Sequence, residues 1–373
     1  MTERTSTPYT PDSVTPPGQT LRDILEERGV TQAELATRMG RPRKTISEII
    51  TGKAAITHET ALQLELVTGA PASFWNARER AYRAHLAALE ERRRLEREAK
   101  WCTRFPLAAM RKLGWLAGPK EKSAMVREVF SFLEVVSSDQ WGALYAEREV
   151  AFRMSPSFSP DPYALGAWLR RGALEARTLG TQPFDRDRFL QFLGDARALT
   201  RAEPKVFVPA LTKGCAAAGV AVVLVPELPR SRAAGATRWV APEKALIQLS
   251  LRYKTNDHLW FTFFHEAAHV LLHGKKQFFI EGGAEGESKE EREANEWAAN
   301  WLIPRADFSE LSSASQLSES AIVAFARRVG IAPGIVVGRL QHEKLILHSR
   351  LNHLKVRYSW GAKPAVGQGV ASS

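Results

Sequence analysis

The stretch FTFFHEAAHVLLHG, residues 261–274, is apolar except for a histidine pair, the glutamate between them and a third histidine near its end. Its periodicity predicts a buried helix over Asp257–His273. His265 and His269 then stand one turn apart on one face, with Glu266 beside the first. In this HExxH spacing two imidazoles reach one tetrahedral metal ion, and the carboxylate can take a proton from water held there. Chance alone would place the motif in about one chain of this length in a hundred, so the surroundings carry the argument. Two histidines and a glutamate inside an apolar helix are costly to bury unless they coordinate or pair. His273 shares the face, but at about 1.5 Å per residue it lies about 12 Å along the axis from His265. That is too far for both to meet one ion. His273 is expected at the helix end, capping carbonyls or supporting a ligand from behind.

A third ligand must come from elsewhere, and SKEEREANEWAANWLIP, residues 288–304, is the source the pattern offers. Its apolar stripe is Ala294, Trp297, Ala298, Trp301 and Leu302. At about 100° per residue, Glu291 falls roughly 50° from the centre of that stripe and Glu293 more than about 100° away. Glu291 is therefore expected to point inward and Glu293 outward, with Asn295 one turn on from Glu291 and able to support it. A capping box with Ser288 would explain Glu291 taken alone. Beside two motif histidines, the ligand reading takes precedence.

FTFFHEAAHVLLHG followed by EEREANEWAANWLIP resembles the ImmA/IrrE group of zinc metallopeptidases, across roughly residues 200–345. The resemblance implies a zincin-like domain with one zinc ion per chain held by His265, His269 and Glu291, and Glu266 as general base. Ala268 stands where the group commonly has glycine, a small-for-small departure in the cleft wall. FARRVGIAPGIVVGRLQHEKLI, residues 325–346, is also typical of regulators fused to this domain.

A second pattern lies near the amino terminus. TQAELATRMGRPRKTISEIITGK, residues 31–53, has the order of a helix-turn-helix. Thr31 and Glu34 form a capping box, Ala33, Leu35, Ala36 and Met39 supply packing positions, and Gly40 permits the turn. The next helix opens with Arg41, Pro42, Arg43, Lys44, Thr45 and Ser47 outward, while Ile46, Ile49 and Ile50 face inward. Those donors suit phosphates and base edges. Residues 18 to about 88, including PGQTLRDILEERGVTQAELA and ETALQLELVTGAPASFW, closely resemble the XRE-type domain of the HigA group of antitoxin-like regulators. The resemblance implies binding of double-stranded operator DNA as a homodimer, with Gln32 on phosphate and Arg41, Arg43, Lys44, Thr45 and Ser47 on the reading side.

The rest of the chain frames these two sites. Of 373 residues, 52 are Lys or Arg and 41 Asp or Glu, a net charge of +11 that favours polyanionic partners. Arg38–Lys53 carries five basic residues and one acidic one, so the excess is local to the expected reading helix. Cys102 and Cys215 are too few for a disulfide framework or a cysteine metal site. The absence of a long apolar run or secretory leader leads us to expect a cytoplasmic protein with no membrane partner.

VAVVLVP (220–226), ATRWVAP (236–242) and KALIQLSL (244–251) read as three short strands. The expected architecture is α+β and mainly helical. It comprises a tail over 1–17, a five-helix helix-turn-helix domain over 18–88, a helical connector over 89–200, a zincin-like domain with a small sheet over 201–350, and a tail over 351–373. Two functions follow from it. In one, the chain is a regulator whose peptidase domain cleaves or senses a regulatory protein. In the other, it is a non-enzymatic antitoxin or repressor with a vestigial or structural metal site, whose partner would be a toxin.

Overall fold

The computed structural model describes residues 14–144, 160–275, 279–281, 288–313, 317–361 and 370–372. The chain divides into two compact units, 1–97 and 98–373.

In the first unit, helices α1 (Pro17–Glu27), α2 (Gln32–Arg38), α3 (Arg43–Ile50) and α4 (His58–Thr68) enclose a core with the start of α5 (Ala72–Cys102). Leu21, Leu35, Ile46, Ile49, Ala61, Leu64 and Trp75 form its centre. Local chemistry sets the boundaries: Thr31 accepts the Glu34 amide at 3.2 Å, and Gly69, at φ 69°, closes α4 in the left-handed region. The Glu34 carboxylate turns to Arg38 rather than back to the cap, so only half of the expected capping box forms. Ala33, expected to pack, is exposed. Pro17 belongs to α1 rather than to a tail, and a Cβ on Gly18 would lie 2.0 Å from the Ile49 carbonyl oxygen. The absent side chain lets α1 rest directly on the backbone of α3. The charged run EERRRLEREAK, residues 90–100, continues α5, making it 31 residues long.

The second unit is built on a four-stranded sheet of order β1-β3-β2-β4, from β1 (Val220–Leu224), β2 (Gly235–Ala241), β3 (Lys244–Leu249) and β4 (Phe279–Glu281). β1 and β3 are parallel, with Val222 opposite Ile247. β2 runs antiparallel to β3 and to β4, with Ala236 opposite both Gln248 and Ile280. One long apolar helix, Asn256–Leu272, packs on β2 and β3, and a second, Lys289–Leu302, packs on that helix. Trp260, Phe263, Phe264, Phe207, Val220 and Ile247 share the core between these layers. Each such aromatic or branched side chain contributes roughly 1.5–3 kcal/mol on burial, which makes the motif helix the keel of the unit.

Two boundaries differ from the sequence reading. Residues 98–200 fall in the same unit as the sheet, because the helix Pro162–Thr178 is bonded to it: Trp168 Nε1 donates to the Val225 carbonyl at 3.1 Å and Gln248 Nε2 donates to the Trp168 carbonyl at 2.7 Å. A helix over Pro204–Ala217, with Pro209 inside it, adds to the pattern that the sequence shows. Residues 351–360 are not a free tail. Lys355 pairs with the buried Asp257 at 2.6 Å, and the Tyr358 amide donates to the Lys254 carbonyl at 2.8 Å. Beyond the helix Lys289–Leu302 lie the helices Glu319–Val329 and Pro333–His342, turned at Gly330 with φ 78°. Among the described residues no single helix is long and apolar enough to cross a membrane.

Candidate metal centre and nucleic-acid interface

The motif helix buries its ionisable side chains along with its apolar ones. His265, Glu266 and His269 are 1%, 0% and 2% exposed, and placing such groups out of water without partners would cost several kcal/mol each. The fold supplies the partners from the helix Lys289–Leu302. Ser288 caps its start by accepting the Glu291 amide at 3.2 Å. The Glu291 carboxylate, instead of returning to close a capping box, reaches His265 Nε2 at 3.1 Å and His269 Nε2 at 3.5 Å. Both sequence readings of Glu291 therefore meet in one residue, its backbone in the cap and its side chain in the cluster. Glu293 points away, with its side chain 45% exposed.

The cluster has the donor set of a zinc site. The Nε2 atoms of His265 and His269 are 3.0 Å apart, and the ligand atoms of His265, His269 and Glu291 all lie within 4.8 Å of one another. Ligands about 2.0–2.2 Å from a tetrahedral ion sit about 3.3 Å from each other, so the spacing fits. The proton positions fit as well. His265 Nδ1 is 2.8 Å from Asn295 Oδ1, an atom that only accepts, so the proton sits on Nδ1 and Nε2 presents its lone pair. Burial, against the pull of Glu291, lowers the His269 pKa to about 4, leaving the ring neutral as a ligand must be.

His273 lies behind His269, their Nδ1 atoms 2.9 Å apart, and its Nε2 is 3.3 Å from Glu293 Oε2. It is near the cluster without joining it, as its separation from His265 along the helix requires. Glu266 is wholly buried against β2, whose Thr237 hydroxyl donates to the Glu266 carbonyl at 3.1 Å. A Cβ on Gly235 would lie 2.5 Å from Glu266 Oε1 and 2.6 Å from Thr262 Cγ2. The bare backbone at Gly235 thus shapes the space in which the carboxylate sits. Phe279 of β4 stacks on the His269 ring, centroids 3.8 Å apart at 17°. Sequence reasoning misses Gly235, Thr237 and Phe279, because nothing in their local pattern ties these strand residues to the motif helix.

In the first unit, Arg43, Lys44 and Ser47 are exposed at the start of α3, Thr45 is half-buried, and Ile46, Ile49 and Ile50 are inside. Gln32 opens α2 half-buried. Arg41 stands apart from the others: its Nε donates to Gln63 Oε1 at 2.6 Å and its Nη2 to Glu59 Oε1 at 3.1 Å, which ties it to α4. The structure therefore gathers Arg43, Lys44, Thr45 and Ser47 on one helix start and engages Arg41 elsewhere.

Residues 21–75 match the helix-turn-helix family model, and residues 228–341 match the peptidase M78 model, described as the IrrE N-terminal-like domain. The chain is 37% identical over 59 residues to an uncharacterised HTH-type transcriptional regulator, YddM, of Escherichia coli K12. That match covers 16% of this chain and 63% of the relative's length. Among solved structures, an addiction module antidote protein of a HigA family from Coxiella burnetii is 26% identical, over 23% of this chain and 94% of the antidote, with a TM-score of 0.21. The chain thus carries a helix-turn-helix domain of XRE type at one end and an IrrE-like peptidase domain at the other, in a mainly helical fold with a small mixed sheet.

Proposed function

We propose that this chain is a transcriptional regulator whose carboxy-terminal domain is a zinc-dependent endopeptidase acting on a regulatory protein. The observation that carries the reading is the buried convergence of His265, His269 and Glu291, with Glu266, next to His265 in the sequence, buried as well and outside the ligand group. His265, His269 and Glu291 would hold one zinc ion per chain, which when bound supplies a Lewis acid that polarises a peptide carbonyl and acidifies water. Asn295 orients His265, and His273 supports His269. Glu266 accepts a proton at its carboxylate from the attacking water and returns it to the departing amine nitrogen.

The amino-terminal unit binds two-fold symmetric operator DNA as a homodimer, since one module of this size reads too few bases for selective binding. Arg43, Lys44, Thr45 and Ser47 read or clamp the groove, and Gln32 holds phosphate. Such a chain works in the cytoplasm, where its DNA is. In a second reading the ion is structural, and a toxin takes the place of the protein substrate as the partner. That reading is supported by the burial of all three donors and by the Phe279 ring over His269.

Glu266→Gln separates the two. Under the enzyme reading it keeps the metal, the fold and DNA affinity, and it abolishes derepression of a reporter under the chain's own promoter, as His265→Ala does. Regulation that is lost in His265→Ala but unchanged in Glu266→Gln would overturn the enzyme reading in favour of a structural ion.

A further inference from the structure

Both motif histidines turn Nε2 to the cluster, so to act as ligands each must carry its proton on Nδ1. For His265 the acceptor of that proton is Asn295 Oδ1 at 2.8 Å. For His269 the neighbour is another imidazole, His273, with the two Nδ1 atoms 2.9 Å apart. A ring nitrogen donates or accepts according to its tautomer, so this contact alone leaves the His269 proton unassigned. The far side of His273 assigns it. His273 Nε2 lies 3.3 Å from Glu293 Oε2, and a carboxylate oxygen only accepts. The His273 proton is therefore on Nε2, His273 Nδ1 accepts from His269 Nδ1, and His269 Nε2 keeps the lone pair that a ligand needs.

We infer that Glu293 is a positioning residue of the metal centre, acting through His273 to fix the tautomer and orientation of the His269 ring. The inference rests on the reading of His265, His269 and Glu291 as metal ligands. Three observations carry it. The His273 side chain is only 5% exposed, and a buried ring costs least when both of its nitrogens are engaged, as they are here. Glu293 divides its two oxygens: Oε1 lies 3.5 Å from Lys289 Nζ and Oε2 faces His273. A surface pair with Lys289 accounts for the first oxygen and not for the second. Finally, one helix supplies a ligand, Glu291, and the accepting oxygens that set both histidines, Asn295 directly and Glu293 at one ring's remove. Phe279 holds the two outer rings side by side, its centroid 3.8 Å from that of His269 and 5.1 Å from that of His273. A carboxylate at the end of such a chain also raises the basicity of the ligating nitrogen.

The test measures zinc affinity of the full chain by competition with a chromophoric chelator, zinc alone being the probe. His273→Phe keeps an aromatic ring against Phe279 and should weaken zinc on the order of 10–100-fold, and Glu293→Ala should weaken it on the order of tenfold. Losses of that size leave the ion in place through purification and show only under competition. Glu293→Gln still offers an oxygen to His273 Nε2 and should recover most of the loss. The double variant should bind zinc no more weakly than His273→Phe alone, because Glu293 acts through that ring. In the zinc-loaded chain with nitrogen-15-labelled histidine, the His273 resonances should show the proton on Nε2.

Additive losses in the double variant, which a bare surface charge near the site gives, would overturn the inference. So would equal losses in Glu293→Gln and Glu293→Ala, wild-type affinity in Glu293→Ala, or a His273 proton on Nδ1. A wild-type chain that takes up no zinc overturns the metal reading and the inference with it. If the expected pattern appears while Glu266→Gln regulates its promoter as the wild type does, the peptidase reading falls and the role of Glu293 stands.

Discussion

The two sites of this chain are assembled in opposite ways. The helix-turn-helix of the first unit is made from one contiguous run, Thr31–Lys53, in which cap, turn, polar edge and apolar back follow one another. The candidate metal centre draws on residues from a helix, a second helix beginning 17 residues after it and a strand preceding both. The first arrangement is tuned by changing exposed side chains one at a time. The second is a joint between elements, and each component there is also part of the core. Damage should therefore be graded in the first site and abrupt in the second.

The sharpest break should come at the ligands. His269→Ala and Glu291→Ala should each remove the metal found by elemental analysis, and Glu293→Ala should retain it, with DNA affinity unchanged in all three. Loss in Glu293→Ala with retention in Glu291→Ala would refute the assignment of the inward face. Gly235→Ala comes next. Its new methyl displaces the end of the Glu266 side chain, so cleavage should fall by about 10²-fold from misplacement while metal content stays at one per chain.

In the other unit, Arg43→Ala with Lys44→Ala should weaken operator binding in gel-shift titrations by about 1–3 kcal/mol for each side chain that reads a base edge, without touching metal content. Gln32→Ala should weaken it with little change in sequence preference. The smallest effect is expected at Thr31→Ala, where loss of the cap on the Glu34 amide should cost about 1 kcal/mol and lower the midpoint of thermal unfolding of that unit alone.

The same contrast explains how much of the molecule is legible in its sequence. Helices α1–α5, the three strands and the motif helix are legible, because caps, glycine stops and 3.6- or 2-residue periods are local signals. Glu291 is legible through periodicity alone, since a helix with a clear apolar stripe fixes where each side chain points. Arg41 is not, because its partners Glu59 and Gln63 belong to a later helix and sequence order gives no sign of them. Residues 98–200 and 351–360 look like connector and tail for a related reason. LNHLKVRYSW carries no apolar period, yet Tyr358 is buried in the core with Leu351, Leu354 and Trp360 packed against it, and Lys355 pairs with Asp257. Phe279 escapes because the apolar run FFI, residues 278–280, is too short to show a period.

The bonds from Trp168 and Gln248 across to the sheet have a practical meaning for anyone who wishes to cut this protein into parts. A fragment opened at residue 201 would take the sheet without the helix that lies on it, exposing Val223, the register partner of Gln248 on that face, and leaving the Gln248 amide without its acceptor. Gly172 of that helix sits so close that a Cβ there would fall 1.8 Å from Gln248 Oε1, so a substitute segment with a side chain at that place would have to displace the buried Gln248 amide. The smallest peptidase piece that keeps its own lining begins near Glu98, well over a hundred residues before the stretch that holds its chemistry.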